Sequence, residues 1–100
     1  MKVIAGTRTL YVDIDETLVL WSTTDSTYTI NHRVVTLVQQ FYRRGHTILA
    51  WSKGGAAWAA EAVTAAGIDG MITACLCKPS WYIDDKTSDE FMPEADRILP

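Results

Sequence analysis

Apolar residues fall in short blocks along this chain, and the polar residues between them mark where each block ends. Leu10, Tyr11 and Val12 form a block with no polar break, the pattern of a strand buried on both faces. Strand-like blocks at residues 18–21 and 28–30 flank Ser-Thr-Thr-Asp-Ser-Thr, whose turn chemistry predicts a small projecting hairpin. Val34, Leu37, Val38, Phe41 and Tyr42 then recur at helical spacing behind Asn31, a favourable N-cap. Gly45 closes that helix after Arg43 and Arg44, whose charges suit its C-terminus. Residues 47–51 repeat the strand pattern and end in Ser52, Lys53, Gly54 and Gly55. Trp58, Ala59, Ala62, Val63 and Ala66 make a second helical stripe, stopped by Gly67. Residues 71–74 predict a short third strand, and Trp81, Tyr82 and Ile83 a fourth that runs directly into Asp84 and Asp85. At the ends the pattern is weaker. Residues 1–5 read equally as an edge strand or a frayed end. Beyond Lys86, Pro93 interrupts the one helical candidate, and residues 97–99 suggest a brief last strand.

Strand alternating with helix predicts an α/β fold: one small Rossmann-like domain over residues 1–100. Its sheet is expected to be mostly parallel with helices on both faces, and a hairpin flap should follow the first strand. Composition agrees with a single folded core, since 48% of residues are apolar and 21% charged. The net charge of −3 argues against a general nucleic-acid-binding surface, so nucleic acid enters only as a phosphate-bearing substrate. Cys75 and Cys77, without further Cys or clustered His, make a poor zinc signature and read as small buried apolar residues. No apolar run approaches membrane-spanning length and no signal-peptide pattern opens the chain, which points to a cytoplasmic protein.

The candidate chemistry begins at the end of the first strand, where Asp13 and Asp15 sit two residues apart and Thr17 follows. On a regular strand the two carboxylates share one face and repel unless a cation lies between them. Oxygen ligands of this kind suit magnesium. The alternative is a strand that simply ends in a solvated acidic turn. The layout of the whole chain favours a site, because ligands of open parallel sheets gather at the carboxyl ends of the strands. There the first strand delivers Asp13 and Asp15, the second Ser52, and the fourth Asp84 and Asp85, with Lys78 just ahead of it. Trp51, Trp58 and Trp81 read as core, whereas Trp21 and Tyr28 on the hairpin are placed to touch a substrate.

These residues, in this order, resemble the four motifs of the haloacid dehalogenase superfamily of phosphohydrolases. Asp-Ile-Asp-Glu-Thr at 13–17 is similar to its first motif, Ser52 to its second, Lys78 to its third, and Asp84-Asp85 to its acidic fourth. The resemblance covers residues 9–88 and implies a magnesium-dependent phosphomonoester phosphatase. In that reading Asp13 is the nucleophile that carries an aspartyl-phosphate, and Asp15 protonates the leaving oxygen and then activates water. A proton donor of this kind needs a raised pKa. Ser52, Lys53, Gly54 and Lys78 hold the phosphoryl oxygens, with the backbone at Gly54 and Gly55 approaching closely. The metal sits among Asp13, Asp15, Asp84 and Asp85. Many members carry Gly where this chain has Glu16. No stretch is long enough for a cap domain, so the hairpin is the only lid. A sheet this short implies a partner subunit. The same residues would also serve a phosphotransferase or a non-hydrolytic phosphoryl-binding protein.

Overall fold

The computed structural model describes residues 8–100, so the apolar stretch at residues 1–5 lies outside the described residues. The architecture is α/β: a three-stranded parallel sheet, a separate two-stranded antiparallel ribbon, and helices. Strand β1 (Thr9–Asp13) leads into the ribbon of β2 (Val19–Trp21) and β3 (Tyr28–Ile30), then helix α1 (His32–Arg43) and strand β4 (Thr47–Ser52). Helix α2 (Ala56–Ala65), a 3-10 turn (Asp69–Met71) and strand β5 (Ala74–Cys77) complete the sheet, in the order β1-β4-β5. The projecting hairpin falls where its pattern predicts, with Trp21 paired to Tyr28 and Val19 to Ile30.

Local chemistry accounts for the helix ends. The Asn31 side chain accepts the Arg33 amide at 3.2 Å, satisfying one of the donors that open α1. At its far end Gly45, at φ 83°, turns the chain so that His46 N donates to Phe41 O and Gly45 N to Tyr42 O. This paired closure consumes two carbonyls the helix would otherwise leave unmet.

Register explains which residues reach the core. Leu10 and Val12 of β1 lie level with Ile48 and Ala50 of β4, and all four point to one face. Val34 and Val38 of α1 and Ala59, Ala62 and Val63 of α2 join them in a single buried cluster. Both long helices therefore cover the same face of the sheet, not opposite faces as expected. The strand order advances in one direction only, and right-handed crossovers then repeat on one side. Tyr11 and Trp51 occupy the other face, their ring centroids 4.5 Å apart, with Tyr11 left exposed.

Three predicted strands differ from the structure. The third begins at Ala74 and ends at Cys77, because the stretch before it closes the 3-10 turn behind α2. Cys77 is consequently exposed and Cys75 only half-buried, and both are free. The fourth strand does not form: Trp81, Tyr82 and Ile83 lie in irregular chain, exposed by 91%, 57% and 105%. A parallel strand needs a crossover of a dozen or more residues, and only Lys78, Pro79 and Ser80 separate the block from β5. Trp81 is thus surface and not core. Further on, a short helix α3 (Ser88–Phe91) starts at a Thr87–Glu90 capping box, and residues 97–99 form no strand.

Candidate active site

The carboxyl ends of β1, β4 and β5 bring Asp13, Asp15, Ser52 and Lys78 to one edge of the sheet. Strand β1 stops at Asp13, and a tight turn follows in which Ile14 O accepts both Thr17 N, at 3.1 Å, and Val19 N, at 3.0 Å. Glu16 takes a left-handed conformation in that turn, φ 58°. That region is uncommon for a residue with a side chain, so Glu16 carries a backbone cost there. Its carboxylate accepts the Trp21 amide at 3.1 Å, tying the turn to the hairpin.

The turn breaks the alternation that would keep the two aspartates on one face. Asp13 points with Trp51 and Lys78: Lys78 Nζ lies 3.5 Å from Asp13 Oδ1, and Thr17 Oγ1 donates to Asp13 Oδ2 at 3.2 Å. The Lys78 ammonium also sits 5.6 Å over the Trp51 ring, a cation–π contact that helps hold it in place. Lys78 is brought this far because its amide extends the β5 ladder, donating to Ser52 O at 2.9 Å.

Asp15 belongs to a different set of contacts. Ser52 Oγ donates to Asp15 Oδ2 at 3.0 Å. Two indoles converge on the other oxygen, Trp21 Nε1 at 2.9 Å and Trp58 Nε1 at 3.2 Å. Burial alone pushes the Asp15 carboxyl up, but the hydrogen bonds from Trp21, Ser52 and Trp58 outweigh it and hold the group below its ordinary value of 3.8. The raised pKa expected of a proton donor is therefore not present in this arrangement. Trp58, read from sequence as core, is half-buried at the site instead. Its place on the first turn of α2, which starts at the same sheet edge, is the signal that could have found it.

Ser52 is fully buried and committed in both directions, donating to Asp15 and accepting the Gly54 amide at 2.9 Å. It is not the cap of α2, a position held by Gly55. The Gly54 amide is thereby turned inward and not toward a ligand. A side chain at Gly54 would meet Trp58 Cδ1 at 2.9 Å and Ser52 Oγ at 3.2 Å, so the close packing of the indole requires glycine there. Lys53 is exposed and pairs with no carboxylate among the described residues.

Asp84 and Asp85 do not join this edge. Both are exposed, and Asp84 Oδ1 accepts the Lys86 amide at 2.9 Å in a local turn. Among the described residues no three Asp, Glu, His or Cys side chains gather closely enough to share a metal ion. The donor set expected for magnesium is thus half assembled and does not fit the ion as the single chain is folded. Comparison of the chain with protein-family models, characterised proteins and solved structures finds no match. No helix of the described residues is long and apolar enough to cross a membrane.

Proposed function

We propose that this chain is a small Rossmann-like phosphohydrolase of the haloacid dehalogenase type, acting on phosphate monoesters. The observation that carries the reading is Asp13 at the end of β1, flanked by the Lys78 ammonium and beside a second carboxylate, Asp15, with a separate set of donors. A carboxylate next to a lysine can attack a phosphoryl group whose oxygens that lysine attracts. The Asp13 oxygen forms a bond to phosphorus, and the bond to the leaving oxygen breaks with its electron pair. Water then attacks the aspartyl-phosphate, releasing phosphate and restoring the Asp13 carboxylate.

Asp15 supplies the two proton transfers, and its surroundings suit them unequally. Held ionised by two indoles and a hydroxyl, it is in the unprotonated form that a base needs, though those hydrogen bonds also weaken its hold on a proton. Protonating a leaving group first requires that the Trp21 bond open, which movement of the hairpin would accomplish. Ser52 would likewise have to turn its hydroxyl from Asp15 to a phosphoryl oxygen, while Lys53 at the exposed turn is free to reach a substrate.

A second reading, a phosphoryl-binding protein without turnover, is favoured by the dispersed acidic residues: Asp84 and Asp85 stand away from Asp13. A screen of phosphorylated metabolites, peptides and polynucleotide ends, with and without magnesium, separates the two. Phosphate release that Asp13→Asn eliminates supports hydrolysis. Binding of the same compounds without release supports the second reading.

A further inference from the structure

Three aromatic rings form a wall beside Asp15. Trp21 and Trp58 donate to its Oδ1 at 2.9 and 3.2 Å, so both indoles stand directly against the carboxylate. Tyr28 closes the group: ring centroids lie 5.2 Å apart for Trp21 and Tyr28, 5.6 Å for Tyr28 and Trp58, and 5.7 Å for Trp21 and Trp58. The Lys78 ammonium belongs to the Asp13 set instead. A substrate therefore meets positive charge at Asp13 and π-surface at Asp15.

The wall is open to a ligand. Trp21 keeps 38% of its surface exposed although its N–H is committed to Asp15. Beside Trp21 and Tyr28 the hairpin carries an open recess of about 150 Å³, the volume of a cavity that takes up benzene. Trp21 thus links the carboxylate to a space the size of one ring.

Position assigns this wall to the leaving group. In the phosphatase reading Asp15 exchanges protons with the leaving oxygen, which must come within hydrogen-bond reach of it. Whatever that oxygen carries is then set against Trp21. A phenyl ring bonded directly to the oxygen falls within the range of roughly 4.5–7 Å over which aromatic rings attract. An aliphatic ester presents no π-face there, and a nucleoside 5′-phosphate holds its base several bonds farther out.

Leaving-group chemistry agrees. Both Asp15 oxygens already accept, Oδ2 from Ser52 and Oδ1 from the two indoles, so neither is free to carry a proton in this arrangement. A phenol ionises with a pKa of about 10, against about 16 for water, which aliphatic alcohols resemble. The bond from phosphorus to an aryl oxygen can break with its electron pair on that oxygen as Asp13 bonds to phosphorus, and the phenolate takes its proton from water.

We infer that the site takes aryl phosphate monoesters, the chemistry of phosphotyrosine, with the leaving ring packed on Trp21. This deepens the phosphatase reading and rests on it.

Steady-state kinetics on two peptides that differ only in carrying phosphotyrosine or phosphoserine test it, with phenyl phosphate as a third substrate. The wild type should favour the phosphotyrosine peptide by at least about tenfold in kcat/KM. Phenyl phosphate should also be turned over, because the ring and not the peptide meets Trp21. Trp21→Ala should lower the tyrosine-to-serine ratio about fivefold, the loss of one ring pair, whereas Trp21→Phe keeps a ring and should keep most of the ratio. A merely structural role for Trp21 would lower both rates together and leave the ratio where it was. A wild-type ratio near one, turnover of the peptide but not of phenyl phosphate, or a ratio unmoved by Trp21→Ala overturns the aryl assignment and leaves the phosphatase reading standing. The wild-type ratio needs no variant, so it decides even where Trp21→Ala does not fold. Phosphate release from none of these substrates, nor from any ester of the wider panel, sinks the phosphatase reading and this inference with it.

Discussion

Two blocks of this chain have nearly the same pattern and opposite fates. Leu-Tyr-Val before Asp13 becomes β1, with Val12 buried in the core; Trp-Tyr-Ile before Asp84 stays in water. Strand propensity does not separate them, since five of the six residues favour extended chain and the exception, Leu10, lies in the block that pairs. Their connections do. The first block is followed by the ribbon and α1, long enough to return to the start of β4, while the second has only Lys78 to Ser80 behind it. An apolar block ending in Asp is thus a strand in waiting, and topology decides whether it finds an edge.

The sharpest way to break this comparison is at the acids that follow each block. Asp13→Asn is expected to lower phosphate release on the order of 10⁴-fold with the fold intact, as for removal of a nucleophile. Unchanged rates in steady-state assays would exclude the aspartyl-phosphate route.

Next in size is the contrast in packing. Ile48→Ala, opposite Leu10 in the core, should cost about 2–4 kcal/mol in urea unfolding. Ile83→Ala should stay within about 0.5 kcal/mol, because that side chain is fully exposed. Equal losses would mean that the second block is packed after all.

Lengthening the short connection sharpens the same point. About a dozen flexible residues inserted after Pro79 should let residues 81–83 reach an edge of the sheet, so that Trp81 becomes shielded from a quencher in solution. A lengthened chain whose Trp81 stays open to the quencher would show that the connection is not what keeps the block off its own sheet.

The smallest effect concerns acid. Because the Asp15 pKa is lowered on folding, its contribution to stability is present above the ordinary value of 3.8 and lost as pH falls through the lower folded value. Trp21→Phe removes one donor and lets that folded value rise. Melting temperatures taken from about pH 6 down to about pH 2 should therefore fall less in the variant, which starts lower and meets the wild type at the acid end, by a modest margin because Asp15 is only half-buried. Superimposable curves would show that the indole does not govern the carboxylate.

Much of the fold was legible from residue pattern. The hairpin, α1 with its Asn31 cap and Gly45 stop, β4 and α2 all follow from local chemistry and lie where it puts them. What pattern could not supply was long-range. Whether Trp81 to Ile83 pair depends on how far apart strand ends lie, a property of the assembled sheet. The common face of α1 and α2 likewise follows from strand order and not from either helix. At the site, Asp13 and Lys78 meet as anticipated by their places at strand ends. The divergence of Asp15 could not be read, because it depends on the turn at Glu16 leaving the strand's alternation. Nor could its pair of indole donors, since an indole looks apolar in a pattern and polar only at its N–H.

The four tryptophans are distributed over three places in the molecule. Trp21 and Trp58 both hold Asp15, Trp51 lies beneath the Lys78 ammonium, and Trp81 stands 91% exposed. Emission from an indole shifts to shorter wavelength as water leaves it, and a quencher in solution reaches only rings at the surface. Single-tryptophan variants thus turn the chain into its own optical instrument: Trp81 reports burial of the tail, Trp51 the arrival of an anion at Lys78, and Trp21 the lifting of the hairpin from Asp15.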